Sequence, residues 1–415
     1  MGTIVREFFL PLEKPERTKG HSETLSVTII EDLSRLRELK KAWTDIYAAD
    51  PDATVFDSWA WISGWLESTP RKWVVLGVQR QAPRQRAHAT RAANGSTDIA
   101  RAPYVAFLVF SARTKASHTI LSMGGYPHAD HTGFVCVPDY AEQAIPALAV
   151  FLREQVTWDT LELLNVNEPV PRFDLFLTSL ETQRISLQEG SGTASPYIPL
   201  PETWEEYFYA VLGSRTRKNL KNCLNRIQRL KGYHVTSLQS GNADAQTETL
   251  LSLWQSRWGL TDENLYMGFK LEDVLTIKRS FLRSCFHANR LWLNILWDGE
   301  TPIAAGAVIC DPVKKHFCIH KIAVNYQYAH VSPGKIWCLH AIRYAIEHGY
   351  RICDFGRGTE QYKFALGSHE RVDRNVVMVR MGRVKKMLLR LRSHLQLRTR
   401  LKRLRGPSST PAAAS

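Results

Sequence analysis

A Ser-Pro-Gly turn is the first stretch of this sequence whose residue types could do chemistry. Ser332, Pro333 and Gly334 follow an apolar run that ends at Val324 and precede a segment of helical character. Serine can cap a helix, and proline suits a first helical turn. The free N–H groups and positive end of such a helix would face a ligand, and Gly334 would allow close approach to the backbone. The turn therefore predicts an anion site suited to a pyrophosphate, flanked by Lys335.

A carboxylate, a phenol and two cations lie close together in the run from residue 354 to residue 363. Asp354 ends a predicted buried strand, and strand ends open onto ligand crevices in α/β sheets. We predict Asp354 as a general base or acceptor-positioning group and Tyr362 as a general acid. Arg357 and Lys363 are predicted to hold a negative substrate group or phosphate. The plainer alternatives are that Asp354 caps a turn, that Tyr362 is a buried hydrogen-bonding group and that Arg357 pairs with Glu360.

Histidines provide a second candidate for the catalytic base. They also occur in two patterns that resemble metal-binding sites. His316, Cys318 and His320 alternate along one face of a predicted strand, and residues 128–131 read His-Ala-Asp-His. A flat row on one strand does not converge tetrahedrally, and the second cluster lacks a fourth ligand. We therefore predict no metal and keep His320 as an alternative catalytic base.

The elements that must position these groups fall in the ninety residues from 291 to 380. Asp298-Gly299 between two apolar runs predicts a hairpin, and Gly349 predicts the end of a helix. The predicted order is three strands, a helix, a strand and a last strand, at Leu291–Trp297, Pro302–Cys310, His316–Val324, Lys335–His348, Arg351–Phe355 and Asn375–Arg380.

The first half of the chain repeats a similar order of strands and helices without sequence identity. We predict a loose arm at 1–24, one domain at 25–190, a second domain at 195–382 and a basic tail at 383–415. A helix near residues 58–66 contains Trp59, Trp61 and Trp65, which we interpret as core aromatics rather than a sugar-stacking platform.

The second half resembles the acyl-CoA acyltransferase fold of the GNAT superfamily. More narrowly, it resembles the CelD-type acetyltransferases associated with cellulose and exopolysaccharide synthesis, which are relatives of the Fem-type aminoacyl transferases. The resemblance implies an α/β (α+β) fold of two tandem GNAT-like domains, with mixed, mostly antiparallel sheets flanked by helices. The segments that carry it are Ser195–Pro201, the basic helix Arg215–Asn222, Ser332–Gly334, Asp354–Gly358 and Tyr362-Lys363.

This resemblance also implies an activity: transfer of an acyl group, in particular acetyl from acetyl-CoA, to an amine or hydroxyl of a sugar or small precursor. The Ser332 turn would hold the CoA pyrophosphate, although the family loop usually has more glycine. A backbone N–H within residues 319–324 would stabilise the oxyanion, and Asp130 would line a substrate cleft between the halves. Two alternatives stay open: a Fem-like transferase using aminoacyl-tRNA, and a non-catalytic adaptor at a membrane.

Composition limits the partners and the location. The net charge is +14, but residues 383–415 hold ten Lys/Arg and no acid, which leaves only +4 on the rest. A body so close to balance argues against nucleic acid, apart from tRNA in the Fem-like alternative. Seven cysteines without paired spacing, and no long apolar run, predict a cytoplasmic protein. The tail is either a disordered solubilising segment or a peripheral contact with anionic membrane.

Overall fold

The computed structural model describes residues 8–9, 24–81, 104–167, 171–182, 184–259, 261 and 265–380. The first half of this described part forms β1 Phe8–Phe9, β2 Leu25–Ile30, α1 Leu33–Glu38, α2 Lys40–Ala49, α3 Trp59–Ser68, β3 Lys72–Arg80, β4 Tyr104–Lys115, β5 His118–Met123, β6 Val135–Cys136, α4 Ala141–Gln155, β7 Thr160–Val166, α5 Pro171–Leu180, β8 Ile185–Glu189 and β9 Thr193–Ala194. The second half forms β10 Tyr197–Pro199, α6 Trp204–Glu206, α7 Ser214–Ile227, β11 Tyr233–Ser237, α8 Ala243–Trp258, α9 Leu271–His287, β12 Leu291–Asp298, β13 Thr301–Asp311, β14 His316–Val324, α10 Pro333–Glu347, β15 Ile352–Asp354, α11 Gln361–Ala365 and β16 Val372–Arg380.

The first sheet has the order β1-β2-β3-β4-β5-β7-β16-β8, and both of its faces are covered. Its neighbours pair antiparallel, except β5 and β7, which are parallel. Because side chains alternate along a strand, Val74 and Leu76 pack towards α4 and α5, whereas Val75 packs towards α2 and α3. The sheet is therefore the middle layer of a three-layer half.

The second sheet has the order β10-β15-β14-β13-β12-β11 and confirms the predicted hairpin at Asp298-Gly299. The helices α7 and α10 cover one face, and α8 and α9 cover the other. Only β14 and β15 are parallel, and their pairing ends at Cys318 opposite Asp354. Beyond that point β14 continues to Val324 while the next strand has ended, so a gap opens beside residues 319–324.

The last strand, β16, does not join the sheet of its own half. The sequence places it in the domain at 195–382, whereas the structure pairs it between β7 and β8 of the first sheet. The physical reason is that β10 already occupies the free edge of β15, through Tyr197 opposite Asp354. Val376 and Met378 are buried in the first-half core instead. The bounds of the two domains otherwise stay a prediction.

The two halves share one hydrophobic core, built around the crossing of α3 and α9. A Cβ at Gly64 would lie only 2.7 Å from the Cα of Phe281, so this crossing requires glycine. Trp61 stacks on Phe281 with ring centroids 5.3 Å apart. Trp61 and Trp65 are 0% exposed, which confirms their interpretation as core aromatics, while Trp59 is partly buried against the same core. Apart from Phe8–Phe9, which pair with β2, and Thr24, the predicted arm and the basic tail lie outside the described residues.

Candidate active site

A β-bulge in β14 positions His320 and Lys321 in the candidate site. Val308 lies opposite Ile319, but Ala307 lies opposite Lys321, so His320 is the extra residue of the bulge. A bulge re-aims side chains and breaks the strict alternation of a strand. It brings two successive side chains, those of His320 and Lys321, against a turn of the first half.

His320 and Asp130 form a buried dyad across the boundary between the halves. The Nδ1 atom of His320 lies 3.0 Å from Asp130 Oδ2. Burial and the nearby charge of Lys321 lower the pKa of His320 to about 3, so the imidazole is neutral at pH 7. Burial opposes ionisation of Asp130, but the His320 hydrogen bond, with Lys321 and Arg357, holds its pKa well below the usual value.

These charge states fix the roles of the two imidazole nitrogens. Ionised Asp130 only accepts hydrogen bonds, so the single imidazole proton of His320 lies on Nδ1. Its Nε2 lone pair is buried and has no hydrogen-bond partner among the described residues. Phe56 and Phe281 flank the ring, with centroids 5.6 and 5.2 Å away. A histidine oriented by a carboxylate, with its other nitrogen unpartnered, has the arrangement of a general base.

Asp130 is itself held by the turn after β15. Arg357 Nε donates to Asp130 Oδ1 at 3.3 Å, and Arg357 Nη2 donates to the Pro127 carbonyl at 2.9 Å. Gly356 has φ of 61°, and a Cβ there would lie 2.9 Å from Asp130 Cγ. The predicted substrate residues Asp130 and Arg357 are therefore brought together, next to the predicted base His320.

Asp354 belongs to a second buried network, adjacent to the dyad. His131 lies between two carboxylates, with Nε2 3.0 Å from Asp354 and Nδ1 2.7 Å from Asp373. Burial opposes the protonation of His131, but Asp354 and Asp373 raise its pKa to about 10. Arg371 Nη2 is 2.5 Å from Asp354 Oδ2, and the Gly356 N–H donates to Oδ1 at 2.7 Å. Although Arg371 Nη2 is also 2.8 Å from His131 Nε2, a protonated histidine has no lone pair there, so the guanidinium donates to Asp354.

These contacts occupy both oxygens of Asp354. They hold its pKa far below the usual range against the effect of burial, chiefly through His131 and Arg371. Both oxygens are thus engaged within the protein, whereas Nε2 of His320 has no partner among the described residues. Its predicted catalytic role stays a prediction, and its partners favour a positioning role.

Lys363 and Tyr362, the remaining predicted residues of the run from 354 to 363, contact the turn after β15 and the core of the second half. Lys363 is 2% exposed and donates to the carbonyls of Arg357 at 2.7 Å and Gly358 at 3.3 Å. It also pairs with Glu360 at 3.0 Å, so it clamps the turn. Tyr362 packs beside Phe355 on the core of the second half, whereas His320 lies on the shared core. The acid role of Tyr362 and the substrate role of Lys363 remain predictions.

The Ser332 turn has the features of an anion site. Ser332 is the N-cap residue of α10 with a left-handed φ of 55°, and Pro333 is the first helical residue. A Cβ at Gly334 would come 3.0 Å from Val324 Cγ1, so the turn lies close against the end of β14. The helix α7 packs against α10 and exposes basic side chains, including Arg215, Lys218 and Lys221. These groups, with partly exposed Lys335, place positive charge near the Ser332 turn.

The side chains of the His-Ala-Asp-His run contact different partners and do not converge on one point. In the His-Ala-Asp-His run, His131 turns to Asp373, Asp130 turns to His320, and His128 packs on Phe269 with centroids 5.0 Å apart. Among the described residues no group of three or more His, Cys, Asp or Glu could hold a metal ion.

Lys278 and Lys321 lie in this site, and sequence reasoning did not select either. Lys278 lies in the buried stripe of α9, with Val274, Ile277 and Phe281. A lysine on an apolar helical face was a readable signal, because a buried cation needs a compensating group. Lys321 gave no such signal, since it reaches the site only through the bulge.

Comparison with known proteins bears on the fold and on one domain of the chain. Residues 214–364 match the family described as "Acetyltransferase (GNAT) domain". A solved structure of FemX is similar with TM-score 0.54 and 10% identity, covering 84% of this chain and 98% of that one. A conserved protein of unknown function from Bacteroides thetaiotaomicron is similar with TM-score 0.51 and 10% identity, covering 85% and 99%. Among curated proteins, nothing matches the chain.

Two conclusions follow from the fold and the matched domain. The chain has the predicted mixed α/β fold. Its residues 214–364 match an acetyltransferase (GNAT) domain, so it is an enzyme of the acyltransferase class. The narrower CelD-type assignment stays a prediction. Among the described helices, none combines the length and apolarity needed to cross a membrane.

Proposed function

We propose that the enzyme transfers an acyl group, acetyl in particular, from acyl-CoA to an amine or hydroxyl of a sugar or small precursor, with His320 as the general base. The observation that carries this proposal is the buried Nε2 of His320, which is oriented by Asp130 and lies on the strand that borders the gap. A CelD-type role in making polysaccharide or cell-envelope material belongs to the same proposal.

The proposed chemistry assigns each residue one task. The thioester supplies an activated acyl carbon. His320 Nε2 takes the proton from the acceptor amine or hydroxyl as that atom attacks, and Asp130 stabilises the imidazolium that forms. A backbone N–H within residues 319–324 donates to the carbonyl oxygen, and Tyr362 is the proposed proton donor to the leaving thiolate. Arg357 and Lys363 keep Asp130 and the 356–360 turn in place.

The cofactor end of the site is proposed at Ser332, Pro333, Gly334 and Lys335. A helix N-terminus binds anions through free N–H groups and its dipole, and α7 adds positive charge beside it. Binding here would place the phosphates on the face of the sheet that carries α7 and α10.

Titration calorimetry with acetyl-CoA and CoA tests the cofactor end. We expect binding by the full-length protein and its loss in Gly334→Trp, because a bulky side chain would fill the turn. Gly241→Trp is the matched control, since a Cβ at Gly241 meets nothing within 4 Å. Absence of binding by the unmodified protein, or equal binding by both variants, would contradict the proposed cofactor site.

A Fem-like aminoacyl transfer is the second candidate, favoured by the extent of the FemX match and by the exposed basic face of α7. It predicts that aminoacyl-tRNA binds with an affinity that falls steeply with salt. Salt-sensitive binding of aminoacyl-tRNA by a protein that does not bind acetyl-CoA would support this candidate over the first.

A further inference from the structure

Lys278 is a buried amine without a matching acid among the described residues, and burial lowers its pKa well below the usual value. The residue is 2% exposed, and its Nζ lies 4.6 Å from the ring centroid of Trp254 and 6.0 Å from that of Phe281. Among the described residues it has no hydrogen bond or ion pair. Burying an ammonium group is costly unless something compensates its charge. Aromatic faces compensate only part of that cost.

Several other groups around Lys278 are also suited to an anion. Lys321 and Arg357 lie close enough to Lys278 to oppose its protonation, while Asp130 is the carboxylate whose charge favours it. Asp130 is already bonded to His320 and Arg357. One further buried imidazole nitrogen in the same cluster, Nε2 of His128, has no hydrogen-bond partner among the described residues and can donate to an anion when it carries the ring proton. The cluster therefore has more basic groups than acids to pair with them. Burial lowers the pKa values of Lys278 and Lys321, so a bound anion would favour their charged forms.

This cluster is separate from the proposed CoA phosphate site. Phe281 packs on both Lys278 and His320, so the cluster lies on the face of the second sheet covered by α8 and α9. The Ser332 turn begins α10, which covers the opposite face. An anion beside Lys278 would accordingly belong to the acceptor rather than to the CoA phosphates.

We propose that Lys278, Lys321 and Arg357 bind an anionic group of the acceptor, a carboxylate or a phosphate ester, next to the base His320. This inference rests on the proposed function and narrows the acceptor to molecules that carry both a nucleophile and an anion. It also assigns Lys278 and Lys321 as specificity-determining residues.

Amine reactivity tests this inference on the unmodified full-length protein. Lysines are methylated briefly with formaldehyde and cyanoborohydride, and the extent at each lysine is read by peptide mass spectrometry. The probes are inorganic phosphate and acetate, whose relative strength tells a phosphate ester from a carboxylate. An opposite charge nearby raises the pKa of an ammonium by one unit or more, so we expect either probe to slow methylation of Lys278 about tenfold. The effect should saturate with concentration.

Lys270 is the internal control, because it immediately precedes the same helix and is exposed. Its methylation should be unchanged by either anion. In Arg357→Gln the protection of Lys278 should weaken. Unchanged methylation of Lys278 with both anions, or equal slowing of Lys270, would overturn the inference.

A parallel titration of the same preparation with acetyl-CoA separates the two proposals. Acetyl-CoA binding together with an insensitive Lys278 would refute the anion subsite and leave the proposed function standing. Protection of Lys278 without acetyl-CoA binding would refute the proposed function and support an anion site of another purpose.

Discussion

At the scale of residues, the site depends on how charge is shared between two buried histidines. His320 and His131 both face a carboxylate, but Lys321 and burial keep the first neutral, whereas two carboxylates keep the second charged. Neutral His320 retains a lone pair for proton transfer. Charged His131, which belongs to the first half, binds Asp354 and Asp373 of the second half. Neighbouring histidines thus serve different purposes because their electrostatic surroundings differ.

The pH dependence of activity should report the state of His320. Its pKa is lowered to about 3, and activity needs the neutral form, so protonation should not limit kcat/KM near the usual histidine value. We expect a flat kcat/KM from about pH 5 to 7, measured as acetyl transfer to an acceptor whose own pKa lies outside that range. An acid limb centred near 6.5 would contradict the assignment of His320.

Asp130→Asn tests whether the negative charge of Asp130, rather than the size of its side chain, orients His320. The amide keeps the size of the side chain but removes the charge that fixes the imidazole proton on Nδ1. We expect kcat to fall about 10²–10⁴-fold while acetyl-CoA affinity is kept. Asp139→Asn, at an exposed position, is the control and should behave like the parent enzyme. A kcat that Asp130→Asn leaves unchanged would rule out the dyad.

Sequence reasoning selected several residues that lie together in the candidate site, but it could not rank them. It selected Asp130, His320, Asp354 and Arg357, which the structure brings together. It could not show that Asp354 is occupied by His131 and Arg371, because those partners come from distant positions in the chain. The bulge that re-aims Lys321 is equally invisible in the sequence, since it arises from the register between β13 and β14.

At the scale of elements, the turn after β15 positions the dyad. Its glycine, Gly356, combines a positive φ with close contact to Asp130. Predicting this turn from the sequence was possible, because glycine after a buried strand marks a turn. The contact of this turn with Asp130 of the other half could not be predicted from the sequence.

Gly356→Ala should cost both stability and activity. A left-handed conformation costs a non-glycine residue about 1–2 kcal/mol, and the new Cβ would also displace Asp130. Gly349→Ala is a matched control, because Gly349 has φ of 71° but nothing within 4 Å of a Cβ. Chemical denaturation should show a similar or larger loss of unfolding free energy for Gly356→Ala, whereas acyl transfer should fall only in that variant. An equal effect of both variants on activity would contradict the positioning role of the turn.

At the scale of the whole molecule, the two halves are connected by a shared core and by the crossing of β16. The sequence predicted paired halves from their repeated order of elements. It could not predict that the last strand returns to the first sheet, because the apolar alternation of β16 suits either sheet and only the occupied edge of β15 excludes the second. The His131 network lies where these connections meet, and it touches both β15 and β16.

His131→Gln should weaken this connection in a pH-dependent way. The pKa of His131 is raised from 6.5 to about 10, so its stabilising effect is complete below pH 6.5 and is lost as pH rises towards 10. Breaking a buried ion pair costs about 3–5 kcal/mol, so we expect a loss of that size in urea unfolding near pH 6, shrinking towards pH 10. His287→Gln, at an exposed position, is the control. A loss that does not change with pH would contradict the charged state of His131.

The most direct test of the central claim is the rate at which acetyl-CoA is converted to free CoA thiol in the presence of a panel of amines and sugars that accept the acetyl group. This rate is compared between the parent enzyme and His320→Gln. His316→Gln, four residues earlier on the same strand, is the control, and calorimetry monitors acetyl-CoA binding in each protein. If His320 is the base, its replacement should lower the acceptor-dependent rate about 10²–10⁴-fold with acetyl-CoA affinity unchanged, while His316→Gln keeps the rate. An acceptor-dependent rate that survives the loss of His320 would contradict the claim and return the search for the base to Asp354.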